Sequence, residues 1–213
     1  MNLLIVTAVA AEREAVLASG CHVNVLAAGV GPAAAAAATA AALALGNYDL
    51  VISAGIAGGF APAVPGGIAV ASACVFADLG VEDEGGFVPI SALGFGTDRY
   101  DVPPRLSGEL AELTGGHRGT ILTVSTVTGT AATAQQHRRR YPDAVAEAME
   151  GAGVAAAASL RGVPFAEIRA ISNLVGPRQR ELWDVPAALD GLGRAVTSVA
   201  AAAAAERSAQ WIP

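Results

Sequence analysis

The sequence predicts an α/β three-layer sandwich with a mixed, largely parallel central sheet, and three observations carry that expectation. Runs of strand length are apolar throughout instead of alternating, as in strands buried on both faces. These runs alternate with alanine-rich stretches that suit helices. The chain has 213 residues, 53% of them hydrophobic, enough for one core, so a single domain over residues 1–213 is expected.

Residues 3–7 (LLIVT) form the first predicted strand, and Glu12 follows in the loop after it. Residues 32–45 predict a helix, with Pro32 in a first turn that tolerates proline and Gly46 as its stop. Residues 49–54 predict a second strand that runs straight into the turn Gly55-Ile56-Ala57-Gly58-Gly59. Two further strands are predicted at 68–76 and 120–127, a helix at 144–160, a strand at 165–171 and a C-terminal helix at 186–208. The stretch 78–104 is rich in glycine and proline and is expected as a loop that covers the site or reaches a neighbouring subunit.

Composition removes several classes of function. Acidic residues outnumber basic ones 19 to 13, and every basic residue is arginine. With no lysine, P-loop and Schiff-base chemistry are excluded, and no broad basic surface is available for nucleic acid. His137-Arg138-Arg139-Arg140 is the one basic run and reads as a solvated helical face. Cys21, Cys74 and three scattered histidines lack metal-ligand spacing, so neither a metal nor a cofactor is expected. The uncharged stretches 25–47 and 50–77 are broken by glycine and proline, and the N-terminus has no basic segment before its apolar run. A cytoplasmic protein without membrane association is expected.

In parallel α/β sheets, ligands bind beyond the carboxyl ends of the strands. That rule selects Glu12, the turn 55–59, Val127-Thr128 and Ser172-Asn173. Glu150, between Ala148 and Gly151 in a predicted helix otherwise crowded with alanine, is either a helix-surface residue or a buried acceptor with a polar partner. Hydrolysis of an N-glycosidic bond needs a carboxylate to activate water, groups that hold the sugar hydroxyls as the ring gains oxocarbenium character, and stabilisation of the departing base. Glu12, Glu150 and Asn173 match those needs in that order.

Taken together, Glu12, SAGIAGG (53–59), TVTGT (126–130), YPDAVAEAMEGAGVA (141–155) and VPFAEIRAISNLVG (163–176) resemble the nucleoside phosphorylase and nucleosidase family over most of the chain. The likeness is greatest to its hydrolases that release hypoxanthine in menaquinone biosynthesis. It implies that Glu12 activates water, that Glu150 binds ribose hydroxyls and that Met149 packs on the sugar. Ala57 and Gly58 would line sugar and base, Val127 and Thr128 the base, and Asn173 its N7/O6 edge. It also implies a homodimer or higher homo-oligomer, and a substrate whose distal carboxylate could meet Arg99, Arg178 or Arg180. Trp183 would either cap the cavity or anchor the C-terminal helix.

Adenine-releasing relatives carry Ser-Asp where this chain has Ser172-Asn173. Hypoxanthine offers O6 as acceptor and, once protonated, N7–H as donor, and a carboxamide matches both. Two alternative activities remain at this stage: phosphorolysis, which Arg13 beside Glu12 would favour, and methylthioadenosine-type hydrolysis. A non-catalytic nucleoside binder is a third possibility.

Overall fold

The computed structural model describes residues 1–205. Ten strands and six α-helices follow one another as β1 (Leu3–Thr7), α1 (Ala10–Ala18), β2 (Asn24–Ala27), α2 (Pro32–Leu45), β3 (Leu50–Gly59), β4 (Ile68–Phe76), β5 (Gly80–Asp83), β6 (Gly86–Pro89), β7 (Arg99–Asp101), α3 (Pro104–Thr114), β8 (His117–Thr123), α4 (Ala131–Arg140), β9 (Ala144–Ala148), α5 (Gly151–Leu160), β10 (Phe165–Leu174) and α6 (Val185–Ala204). The expected extension of the last helix to residue 208 lies outside the described residues.

Eight strands form one sheet in the order β10-β4-β8-β9-β3-β1-β2, with β7 on the edge of β4. β10 also pairs with β3, so the five strands β3, β10, β4, β8 and β9 close a ring of pairings from which β1 and β2 extend. The β1–β2, β1–β3, β3–β10, β4–β8 and β8–β9 ladders are parallel, while β4–β10, β3–β9 and β4–β7 are antiparallel. The sheet is thus mixed and largely parallel. Helices α2 and α5 pack together against it, and α1, α3 and α6 form a separate layer. Among the described residues, no helix is long and apolar enough to cross a membrane.

Several expectations need correction. The stretch 144–160 is not one helix but a buried strand, β9, and a helix, α5, joined at Met149-Glu150. Alanine favours helix by only tenths of a kcal/mol over most residues. Ladders to β8 and β3, with all five β9 residues buried, outweigh that. β8 starts at His117 and ends at Thr123, short of the predicted 127. β3 and β10 run on to Gly59 and Leu174, so the GIAGG and Ser-Asn segments are strand ends and not turns. Glu12 belongs to the first turn of α1 and not to a loop. Segment 78–104 contains the β5–β6 hairpin, a 3-10 turn and β7. In the basic run, His137 is buried and Arg140 places its guanidinium 4.2 Å from the centre of the Phe87 ring, so only part of it is a solvated face.

Candidate active site

All eight residues singled out in the sequence, Glu12, Ala57, Gly58, Val127, Thr128, Met149, Glu150 and Asn173, line one cleft of about 260 Å³. It opens where β3 and β10 end and where α1 and α5 begin.

Glu12 is buried in the first turn of α1, and three backbone N–H groups hold its carboxylate. Ala8 and Val9 donate to Oε2 at 2.8 and 3.2 Å, and Ile56 donates to Oε1 at 2.9 Å. The helix dipole favours an anion at this end. Arg13, next along the helix, is exposed and does not line the cleft.

Glu150 is the residue before the first turn of α5, and it is the buried acceptor of the two alternatives. Gly31 donates its N–H to Oε1 at 3.1 Å. Gly31 has φ +94°, a conformation that a side chain would strain, so glycine is what lets the loop before α2 turn its N–H to Glu150. Arg169 Nη2 approaches Glu150 Oε2 at 3.3 Å.

Arg169 is not among the residues that the sequence selects, yet it organises the floor of the site. It is 1% exposed, donates Nε to Glu167 Oε1 at 2.8 Å and donates Nη2 to Ser53 Oγ at 3.0 Å. A Cβ on Gly55 would fall 2.6 Å from both Arg169 Nη1 and Glu12 Oε1, so the first glycine of GIAGG makes room for these two groups on either side of it. Burial alone would push the guanidinium toward its neutral form; Glu167, Glu150 and Glu12 reverse this and hold it above the ordinary arginine range. Glu167 is fully buried, and burial raises its pKa against the opposing pull of Arg169 and of the Cys74 thiol, which donates to Oε2 at 2.9 Å. Burial, then Glu167, raise Cys74 in turn. The pattern Glu167-x-Arg169 is the available signal: two charges at i and i+2 share one face of an otherwise apolar strand.

Asn173 follows a β-bulge. Ile171 pairs with Ala57 and Asn173 with Gly58, which leaves Ser172 as the extra residue. Ser172 Oγ donates to Asn173 Oδ1 at 2.8 Å, and Asn173 Nδ2 donates to the Leu174 carbonyl at 2.9 Å. One N–H of the carboxamide is thus placed by the protein, and the second is left for a ligand. Glu147, a second residue missed in the sequence, also lines the cleft and accepts from Thr128 N at 2.8 Å and Thr128 Oγ1 at 2.5 Å. Burial raises its pKa and the Thr128 bonds oppose the rise.

Trp183 lines the cleft and the adjoining cavity, with the Arg178 guanidinium 5.5 Å from its ring centre. Arg178 also packs near Gly129, on the side of Val127-Thr128. Arg99 instead pairs with Asp101 on exposed β7, and Arg180 lies in an exposed 3-10 turn.

Chemically, the cleft offers a fixed carboxylate at one wall, a second carboxylate braced by a buried cation, and a carboxamide with matched donor and acceptor at the far wall. Futalosine hydrolase of Streptomyces coelicolor is 51% identical over 224 aligned positions, covering 94% of this chain and 95% of that protein. Futalosine hydrolase of Acidothermus cellulolyticus is 49% identical, covering 93% and 90%. The fold matches that of Helicobacter pylori futalosine hydrolase with a TM-score of 0.80 at 17% identity, over 93% of this chain and 96% of that one. It also matches the 5'-methylthioadenosine/S-adenosylhomocysteine nucleosidase of Neisseria meningitidis, with a TM-score of 0.79 at 19% identity, over 93% and 97%. The family model described as the phosphorylase superfamily matches residues 10–206, and the chain belongs to that superfamily.

Proposed function

We propose that this protein hydrolyses the N-glycosidic bond of futalosine, releasing hypoxanthine and dehypoxanthine futalosine, in menaquinone biosynthesis. The observation that carries this reading is the Glu12 carboxylate, held by three backbone N–H groups and facing the cleft that Glu150 and Asn173 also line. Glu12 orients a water and takes its proton as the water attacks the anomeric carbon. Glu150 accepts from the ribose hydroxyls, bonds that strengthen as the ring becomes oxocarbenium-like, and Met149 packs on the sugar. Ala57 and Gly58 line the nucleoside, Val127 and Thr128 line the base, and Asn173 bonds O6 and the N7–H of the departing hypoxanthine, which takes that proton from solvent while Glu12 returns its own.

Hydrolysis is favoured over phosphorolysis because Arg13 does not line the cleft and Arg169 is already engaged by Glu150 and Glu167. Among the described residues that line the cleft, a phosphate dianion would meet the Glu12 carboxylate and no uncommitted cation. The Ser172-Asn173 pair favours futalosine over an adenine nucleoside, and the braced Glu12 favours an enzyme over a passive binder. The working form is one nucleosidase domain over residues 1–213, assembled as a homodimer or higher homo-oligomer in the cytoplasm. The shallow cavity lined by Pro32, Ala33, Phe76 and Leu79 supports the assembly, and the two free cysteines support the compartment.

The test is incubation of purified protein with futalosine, without metal or cofactor, with and without phosphate. Hypoxanthine release independent of phosphate is expected; unchanged futalosine would overturn the assignment.

A further inference from the structure

Glu167 is a fully buried charge on β10, and the reaction described above does not use it. Burying a carboxylate is costly unless its partners offset the lost hydration, so those partners show what it holds in place. Arg169, two residues further on, shares its face of the strand and donates Nε to Oε1 at 2.8 Å. Cys74 on β4 donates its thiol to Oε2 at 2.9 Å. Both oxygens therefore accept, one of them from a cation, as suits an ionised carboxylate.

The same carboxyl group lies beneath the start of α5. A Cβ on Gly151 would overlap the Cδ and both oxygens of Glu167, so glycine at this position is what admits the carboxyl group against the backbone that carries Glu150. Glu150 is reached a second time through its side chain: Arg169, held by Nε, brings Nη2 to 3.3 Å from Glu150 Oε2. The backbone donors to Glu150 are Gly31 N–H, to Oε1 at 3.1 Å, and Met149 N–H, to Oε2 at 3.3 Å. Both are at the long end of the hydrogen-bond range, so they fix the carboxylate only loosely.

We propose that Glu167 is a positioning residue for the hydrolysis: it seats the Glu150-Gly151 junction from below and anchors the guanidinium that meets the Glu150 carboxylate, so that Glu150 stays aimed at the ribose hydroxyls. The proposal rests on the assignment of Glu150 to the ribose and adds the group that holds it there. Without the Glu167 charge, Arg169 loses its anchor at Nε and is drawn toward Glu150 and Glu12. It then competes with the ribose hydroxyls for the Glu150 oxygens. Cys74 acts one step further out, by fixing which oxygen of Glu167 faces Arg169.

The experiment compares parent and Glu167→Gln on futalosine and on its 2'-deoxy and 3'-deoxy forms, with calorimetric binding of hypoxanthine. Gln keeps the shape and an oxygen for Arg169 Nε but carries no charge. In the parent, loss of a hydroxyl that Glu150 holds should cost about ten- to a hundredfold in kcat/KM. In Glu167→Gln, kcat/KM for futalosine should fall at least about tenfold and the deoxy penalty should shrink at least about fivefold. Affinity for hypoxanthine, which has no ribose, should stay within about twofold. Equal deoxy penalties in the two proteins would overturn the proposal, because a loss of packing alone slows all three nucleosides alike. Should Glu167→Gln fail to fold, Cys74→Ala frees Oε2 while keeping the charge; a narrowing of the same sign, about twofold or more, is expected, and none overturns the proposal. No deoxy penalty in the parent would remove Glu150 from the ribose and the proposal with it. A parent that binds futalosine without cleaving it defeats the hydrolase assignment instead, and the same comparison made on Kd for the three nucleosides still decides Glu167. A parent that neither binds nor cleaves futalosine overturns both.

Discussion

Arg169 and Glu150 form an ion pair, Nη2 to Oε2 at 3.3 Å, with the arginine 1% exposed and its Nε and Nη2 donating to Glu167 and Ser53. Removing one member of a buried pair leaves the other charge without compensation, which costs about 3–5 kcal/mol. Arg169→Met leaves Glu150 and Glu167 facing each other with no cation between them. Urea unfolding should show a loss of that size with an unchanged slope, and the double variant Arg169→Met/Glu167→Gln should recover part of it. No recovery would mean that the two sites act independently.

Glu12→Gln separates binding from chemistry. The amide keeps one oxygen for backbone donors but turns an NH2 toward another of them, and it cannot take a proton from water. Turnover should fall on the order of 10²-fold or more, while affinity for hypoxanthine changes little. Glu150→Ala should instead raise KM and lower kcat together, because its contacts serve ground state and transition state alike. Steady-state kinetics on futalosine, with calorimetry for the free base, distinguishes the two patterns. Near-parental turnover of Glu12→Gln would remove Glu12 from the reaction.

Acid sensitivity follows from His137. Burial lowers its pKa first, and Arg140 lowers it further. A histidine with a depressed native pKa is held neutral by the fold, so its contribution is present above the unfolded value of about 6.5 and is lost as pH falls from there through the native value. The stability of the parent relative to His137→Gln should therefore shrink as pH drops from about 7.5 to about 5, measured by thermal unfolding of both proteins. Glu147 and Glu167 act with the opposite sign. Their raised pKa values make the native state the tighter proton binder between about 4.5 and the native values, so their contribution is present at low pH and lost as pH rises. Glu167 is common to both proteins, whereas Glu147 Oε2 lies 3.9 Å from His137 Nε2, so the difference reports His137 together with its Glu147 neighbour.

Cys74 and Cys21 should differ in reactivity. Cys74 is fully buried with its thiol donated to Glu167 and its pKa well above the ordinary value, while Cys21 is half-buried at the end of α1. Only the thiolate alkylates. Mass-spectrometric mapping after brief iodoacetamide treatment should find label on Cys21 in the native protein and on Cys74 only after denaturation.

Some elements announce themselves because local pattern and tertiary demand agree. The run 3–7 is apolar at every position but the last and becomes a strand buried at every position, and Pro32 and Gly46 bound α2 as they should. Of the eight residues chosen for the site, Ala57, Gly58 and Asn173 sit at strand ends, and the others lie in the segments that follow strands, where the topology gathers them. Disagreement between levels hides the rest. In AVAEAMEG the alanines and the three-residue spacing of Glu147 and Glu150 read as a helix face, and only the β8 and β3 ladders make 144–148 a strand. That misreading also conceals Glu147, since the face of a residue is defined only once its element is. β2 is short and half-exposed, and the polar sequence of α4 shows little apolar stripe. Arg169 and Glu167 are visible as charges in a buried strand, but most of their partners lie in other elements.

Asn173→Asp tests the proposed contact of Asn173 with the base edge. In the parent, Ser172 Oγ donates to Oδ1 and Nδ2 donates to the Leu174 carbonyl. An aspartate keeps the first bond but sets a carboxylate oxygen against that carbonyl and against O6 of hypoxanthine, two acceptor pairs with no proton between them. At the base, one matched bond becomes one mismatch, so kcat/KM for futalosine should fall about ten- to a hundredfold. The 6-amino analogue offers a donor where futalosine offers O6, so its cleavage should rise relative to futalosine. The absolute gain should stay small, because the new carboxylate is partly desolvated. Protonating the introduced carboxylate supplies the missing donor, so the defect on futalosine should ease toward acid pH. The measurement is kcat/KM for both nucleosides in parent and Asn173→Asp between about pH 5 and 8. A substrate ratio equal in the two proteins across that range would show that Asn173 does not read the base.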